Sequence, residues 1–118
     1  MNEYFANAVA MFDPDTKKMS EYKLGLKWGI PYEGVIDHNG MIWLEDAQYQ
    51  SIVRFDTQTK KSTYYPYPQM KAHAPKMEVD AEGTVWSGIS GRGQPGQLTA
   101  FKPKGNVPMR SGTLTSQK

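Results

Sequence analysis

Three places in this chain combine residue types able to do chemistry. The segment Met70-Lys71-Ala72-His73-Ala74-Pro75 carries an imidazole, the natural general base near neutral pH. The adjacent carboxylates Glu45 and Asp46 offer oxygen ligands to a divalent metal ion. The stretch Gly88 to Gly96 is rich in glycine and contains Arg92, whose guanidinium suits an anionic ligand or a neighbouring element. Each has a plainer reading. A lone loop histidine is more often a surface or loop-packing residue, His73 has no histidine partner at metal-ligand spacing, and one acidic pair is a weak metal signal. The glycine stretch lacks the Gly-Lys-Ser/Thr ending of a phosphate loop and precedes a strand, where a phosphate loop opens a helix. His38 falls in a short polar turn and is expected to be solvated. Tyr64-Tyr65-Pro66-Tyr67-Pro68 reads as a strand exit rather than a proline-rich recognition motif.

The elements that must position these groups repeat. Phe12-Asp13-Pro14-Asp15-Thr16-Lys17-Lys18 returns as Phe55-Asp56-Thr57-Gln58-Thr59-Lys60-Lys61, a step of 43 residues. At the same step Asp37, Gly40, Ile42 and Trp43 become Asp80, Gly83, Val85 and Trp86. Ile52 and Phe55 return as Leu98 and Phe101 after a step of 46, so the glycine-rich stretch must absorb three residues, expected as a flexible loop. Tight-turn signals, Asp37-His38-Asn39-Gly40 and Asp80-Ala81-Glu82-Gly83 among them, separate short runs of β-formers and leave no room for a useful helix. Nine strands are expected, near 7–12, 19–24, 33–37, 41–45, 51–56, 62–66, 76–80, 84–88 and 97–102. A period of this length built from short strands is the signature of β-propeller blades. The fold class is therefore all-β: antiparallel four-stranded blades, about two and a quarter of them, in an incomplete propeller over residues 1–102. The units run from about 8 to 50 and 51 to 96, with a third starting at 97, and 103–118 form an irregular tail. Trp43 and Trp86, at one phase of the unit, are both expected to be buried between stacked sheets.

Composition narrows the functional classes. The chain has 118 residues, 38% of them hydrophobic, and a formal charge of +2 from 14 basic and 12 acidic side chains. That balance gives no electrostatic case for nucleic acid or an anionic membrane. With no cysteine there are neither disulfides nor thiolate metal sites. The longest near-apolar run, Ala6 to Phe12, is too short to span a bilayer, and no basic region precedes it as in a signal peptide. Export would need a signal upstream of this sequence.

Strand alternation sorts the loops onto two ends. Turns at 38–40, 57–60 and 81–83 share the bottom, while the longer connections 24–33, 46–50, 66–76 and 88–97 share the top. Long loops on a rigid scaffold are where binding concentrates. The top gathers the candidate ligand-binding residues Trp28, Tyr32, Glu33, Tyr49, Lys71 and Arg92, with His73 as candidate catalytic base and Glu45 and Asp46 as candidate metal ligands. A small-molecule or carbohydrate-like ligand is expected there. No cofactor is required by the residues themselves.

The pattern Pro31-Tyr32-Glu33-Gly34-Val35-Ile36-Asp37, Gly40, Ile42-Trp43-Leu44, then Ile52-Val53-Arg54-Phe55-Asp56, Thr59 and Tyr65-Pro66 resembles the blade repeat of virginiamycin B (streptogramin) lyase-like propellers. The resemblance covers about residues 8–102. It implies a closed seven-bladed disc, of which this chain holds about a third, so its partners are the missing blades of the same protein or copies of itself. It also implies a lyase that uses a histidine in a Pro-His-Gly loop, a nearby glutamate and a magnesium ion. Here the matching positions hold Tyr32 and Pro75, with His73 offset by about two residues. The expectation is a segment that presents top-face loops for recognition and does not by itself linearise a streptogramin-type cyclic ester; the alternative is a metal-assisted C–O lyase or lactone hydrolase completed by the missing blades.

Overall fold

The computed structural model describes residues 2–3, 6–68, 73–74, 76–91 and 94–103. They form ten strands and no helix: β1 (Asn2–Glu3), β2 (Ala8–Asp13), β3 (Lys18–Lys23), β4 (Pro31–Ile36), β5 (Met41–Asp46), β6 (Ser51–Asp56), β7 (Ser62–Pro66), β8 (Met77–Val79), β9 (Val85–Gly91) and β10 (Gln94–Phe101). All pair antiparallel, in three sheets ordered β1-β2-β3, β4-β5-β6-β7 and β10-β9-β8. The middle sheet is a complete four-stranded blade; among the described residues, by repeat phase, the first sheet shows no innermost strand and the third no outermost. A unit counted from residue 8 thus straddles two sheets, because the sequence repeat and the blade are out of phase by two strands. No helix among the described residues is long and apolar enough to cross a membrane.

One aspartate per unit builds each bottom turn of the β4–β5 type. Asp37 Oδ1 accepts from the Asn39 and Met41 amides at 2.8 and 3.0 Å, and its Oδ2 accepts from Trp43 Nε1 at 2.7 Å. Asp80 repeats this with the Glu82 and Thr84 amides at 3.0 and 2.8 Å and Trp86 Nε1 at 2.8 Å. Gly40 and Gly83 take φ of 74° and 80°, where a Cβ is disfavoured. The other bottom turn repeats as well: Asp13 accepts from Asp15 and Thr16, and Asp56 from Gln58 and Thr59. There Lys17 and Lys60 sit at φ of 56° and 60°, a left-handed conformation that costs a non-glycine residue about 1 kcal/mol. Exposed Lys17 is the cleaner place to relieve it. Lys17→Gly is expected to stabilise the fold by about 0.5–1 kcal/mol, read as a higher urea midpoint at unchanged slope.

Strand alternation sends successive side chains of the middle blade to opposite neighbours. Leu44, Val53 and Phe55 pack with Val9 and Leu24 of the first sheet. Met41, Trp43 and Ile52 pack with Met77 and Val85 of the third. Phe101 closes this second interface, its ring 6.0 Å from Trp43 and 5.0 Å from Tyr65.

Two expectations are corrected here. Trp43 is 1% exposed, but Trp86 is 38% exposed, because its face is the one that a following sheet would cover. Leu98, in the phase of Ile52, is 75% exposed beside it, and Phe12, in the phase of buried Phe55, is 58% exposed on the opposite outer face. The glycine-rich stretch is also not simply a loop: β9 continues to Gly91 and β10 starts at Gln94. The three additional residues lengthen this hairpin, which continues to the pair Gly91 and Gln94, and a register irregularity between Gln94 and Gln97 takes up one of them. Residues 104–118 of the expected tail lie outside the described residues.

Candidate functional site

The top connections interlock through backbone and side chain. Ala47 N donates to Ile30 O at 3.0 Å, Tyr67 N to Gln50 O at 2.9 Å, and the Tyr49 hydroxyl to Lys27 O at 2.6 Å. They frame a polar centre between the second and third sheets. Glu45, at the top of β5 and fully buried, accepts from the Ala74 amide at 2.5 Å with Oε1. Its Oε2 lies 2.9 Å from His73 Nδ1, a hydrogen bond whenever that nitrogen carries the proton. Tyr32 meets the imidazole edge-on at 5.1 Å between ring centroids. Burial pushes the Glu45 carboxyl above its ordinary range, with the Ala74 amide and His73 opposing the shift. The His73 side chain is 41% exposed, so with Nδ1 turned to Glu45 the ring remains reachable. A carboxylate orienting an imidazole through Nδ1 fixes which nitrogen is left for a ligand or a proton.

The predicted residues divide into two groups. Tyr32, Glu45 and His73 come together. Glu33 forms an exposed pair with Lys76 at 3.7 Å, an interaction of little energetic consequence. Trp28 is 84% exposed at φ 63°, and half-exposed Tyr49 leans edge-on at 6.3 Å against Tyr64, which packs at the interface with the first sheet. Lys71 and Arg92 lie outside the described residues.

Asp46 goes the other way from Glu45, as the next residue on a strand must. Its Oδ1 accepts from the Ile30, Gln48 and Tyr49 amides at 3.1, 3.0 and 3.1 Å, so it is the cap that shapes the loop. Its Oδ2 and Asn7 Oδ1 are buried without a hydrogen-bond partner, and both crowd Gly29, where a Cβ would come within 2.5 Å of each. The implied magnesium ion asks for several oxygens in near-octahedral array. Glu45 and Asp46 cannot supply it together, and no group of three or more His, Asp or Glu side chains able to hold a metal forms among the described residues. The described residues therefore do not fit a magnesium site beside His73. The two candidate metal ligands thus stand in different surroundings, Glu45 beside His73 and Asp46 in the loop cap.

Two residues beside this centre escaped sequence reasoning. The Tyr67 hydroxyl and Ser87 Oγ are buried near Glu45, and Tyr67 ionisation is driven upward by burial and by the Glu45 charge. Tyr67 sits in a segment that composition explains as a strand exit, and nothing in the linear spacing ties it to Glu45.

The chain superposes on solved structures of virginiamycin B lyase from Staphylococcus aureus with a TM-score of 0.66 at 18% identity, over 91% of this chain and 38% of that one. This is β-propeller architecture. A catalytically inactive histidine-to-alanine variant of that lyase with quinupristin matches the propeller at a TM-score of 0.65 and 17% identity, over 90% of this chain and 38% of that one. A streptogramin B lyase structure matches at 0.64 and 18%, over 90% and 37%. The propeller segment thus spans well under half the length of the proteins it resembles. No protein-family profile matches its sequence, and no curated protein does so at a significant level.

Proposed function

We propose that this propeller segment binds a small organic ligand on its top face, with His73 as the polar anchor. The observation that carries the reading is the 2.9 Å contact between His73 Nδ1 and buried Glu45, which sets the imidazole in one orientation beside Tyr32. Flanking sheets of the same repeat, from the same protein or from a second copy, cover the outer faces that Phe12 and Trp86 present. The ligand is of the cyclic ester class, supported by the likeness to lyases of streptogramins.

The same dyad favours a second reading, in which the imidazole is a general base. Nε2 takes a proton from carbon next to an ester C–O bond, the electron pair forms a double bond, and the carboxylate leaves. The inactivity of the histidine variant in the related lyase supports it. Against it, Tyr32 and Pro75 stand where the lyase repeat places its histidine.

Calorimetric titration with quinupristin, alongside chromatographic assay of ring opening, separates the readings. Saturable binding lost in His73→Ala, with the ring intact, is the expected result. Ring opening abolished by the same substitution establishes the base reading. Binding unchanged in His73→Ala, or none at all, refutes both.

A further inference from the structure

A groove of about 400 Å³ lies between the outer parts of the first two sheets. One wall is the end of β3 and the chain after it, Lys23 through Leu26; the other is the turn before β7 and its start, Lys60 through Ser62, with Tyr64. His73 instead precedes β8, an innermost strand, so the groove is separate from the site above.

Its lining is chemically one-sided. It contains three lysines and no carboxylate, in a chain whose charges otherwise nearly balance. Glu21 pairs with Lys23 at 2.6 Å from outside the lining and neutralises part of that charge. Lys23 Nζ also donates to Ala6 O at 3.1 Å, Lys60 donates to Thr57 O with its ammonium 4.2 Å from the Tyr22 ring centre, and Lys61 is exposed. Ser62, on the same wall, has its Oγ buried without a hydrogen-bond partner among the described residues. Between these polar groups, Leu24, Leu26 and Tyr64 supply an apolar floor and side. Gly25, at φ 105°, borders open space, with nothing within 4 Å of a Cβ position.

We infer that this groove is a binding site for a small organic anion: an oxyanion carried on a ring-sized apolar body. Its volume suits such a ligand. Lysines act as mobile point charges rather than rigid forks, so they select the charge and leave the shape to the apolar wall. The reading does not depend on the function proposed for His73.

The test is an amide chemical-shift titration of the 118-residue chain with p-toluenesulfonate, with toluene-4-methanol and inorganic sulfate as neutral and body-free controls. Saturating shifts are expected at Gly25, Leu26, Lys61 and Ser62, with both controls weaker. Lys60→Ala/Lys61→Ala is expected to weaken binding about tenfold, each exposed pair contributing roughly up to fivefold. Ser62→Ala is a milder second variant that leaves both lysines and the Lys60 contact with Tyr22 intact, and it too is expected to weaken binding. Equal binding of sulfate alone overturns the apolar-body requirement, and equal binding of the neutral alcohol overturns the anion site. Shifts indifferent to both variants overturn the assignment altogether.

Discussion

Trp43→Ala is expected to destabilise the chain by about 3–5 kcal/mol, whereas Trp86→Ala, the same substitution one repeat later, is expected to cost about 1–2 kcal/mol. The two indoles make the same hydrogen bond to the aspartate six residues before them. They differ in what lies above the ring. Trp43 fills the interface with the third sheet, against Met77, Val85 and Phe101, and its removal leaves a cavity that relatively rigid strands cannot close. Trp86 has over a third of its surface in water, so much of its transfer free energy is never gained. Urea unfolding of both variants measures the difference. Equal costs would mean that Trp86 is covered in solution, by a second copy or by a rearranged third sheet, and repeating the measurement at several protein concentrations tells those apart.

Glu45→Gln is expected to remove a pH dependence of stability. Burial raises the native carboxyl above its ordinary value of 4.5, so between that value and the raised native one the folded state holds more proton than the unfolded chain. Stability contributed by this group is therefore fully present below the ordinary value and lost as pH rises through the native one. Asp13 and Asp80 are shifted the opposite way by turn amides and, for Asp80, first by the Trp86 indole. Their contribution is gained as pH rises through lower values, so the two effects occupy separate windows. Glutamine keeps an oxygen for the Ala74 amide and carries no charge to desolvate. Denaturant midpoints followed upward from the ordinary carboxylate range should fall for the parent chain and stay flatter for the variant. Parallel curves would show that Glu45 is not the group responsible.

The fold was largely legible because it is written twice. Asp37 and Asp80, Gly40 and Gly83, and Lys17 and Lys60 recur at one step and adopt matching turns, since the same local hydrogen bonds form wherever the same short sequence does. Burial did not follow from phase alone: Trp86 repeats the aspartate hydrogen bond of Trp43, but it faces Ala100 where Trp43 has Arg54 and Tyr65, and no following sheet packs on it among the described residues. The site was half legible. Alternation placed His73 and Glu45 at the top, but their contact depends on how the third sheet docks on the second, a distance of 28 residues in sequence. The opposite fates of Glu45 and Asp46 follow from strand geometry, which an acidic pair read as a metal signal overlooks.

The Asp80–Trp86 hydrogen bond forms on a face against which no other sheet of the described residues packs, and Trp86 is half-exposed there. Its consequence is kinetic. The bond joins residues six apart in one hairpin, so closing the turn and setting the indole need no neighbouring sheet. Each finished sheet therefore offers the next a template whose largest side chain is already oriented, and the entropy of ordering it has been lost beforehand. Growth of such an array is nucleation at any one hairpin followed by propagation in either direction, with coupling confined to adjacent sheets.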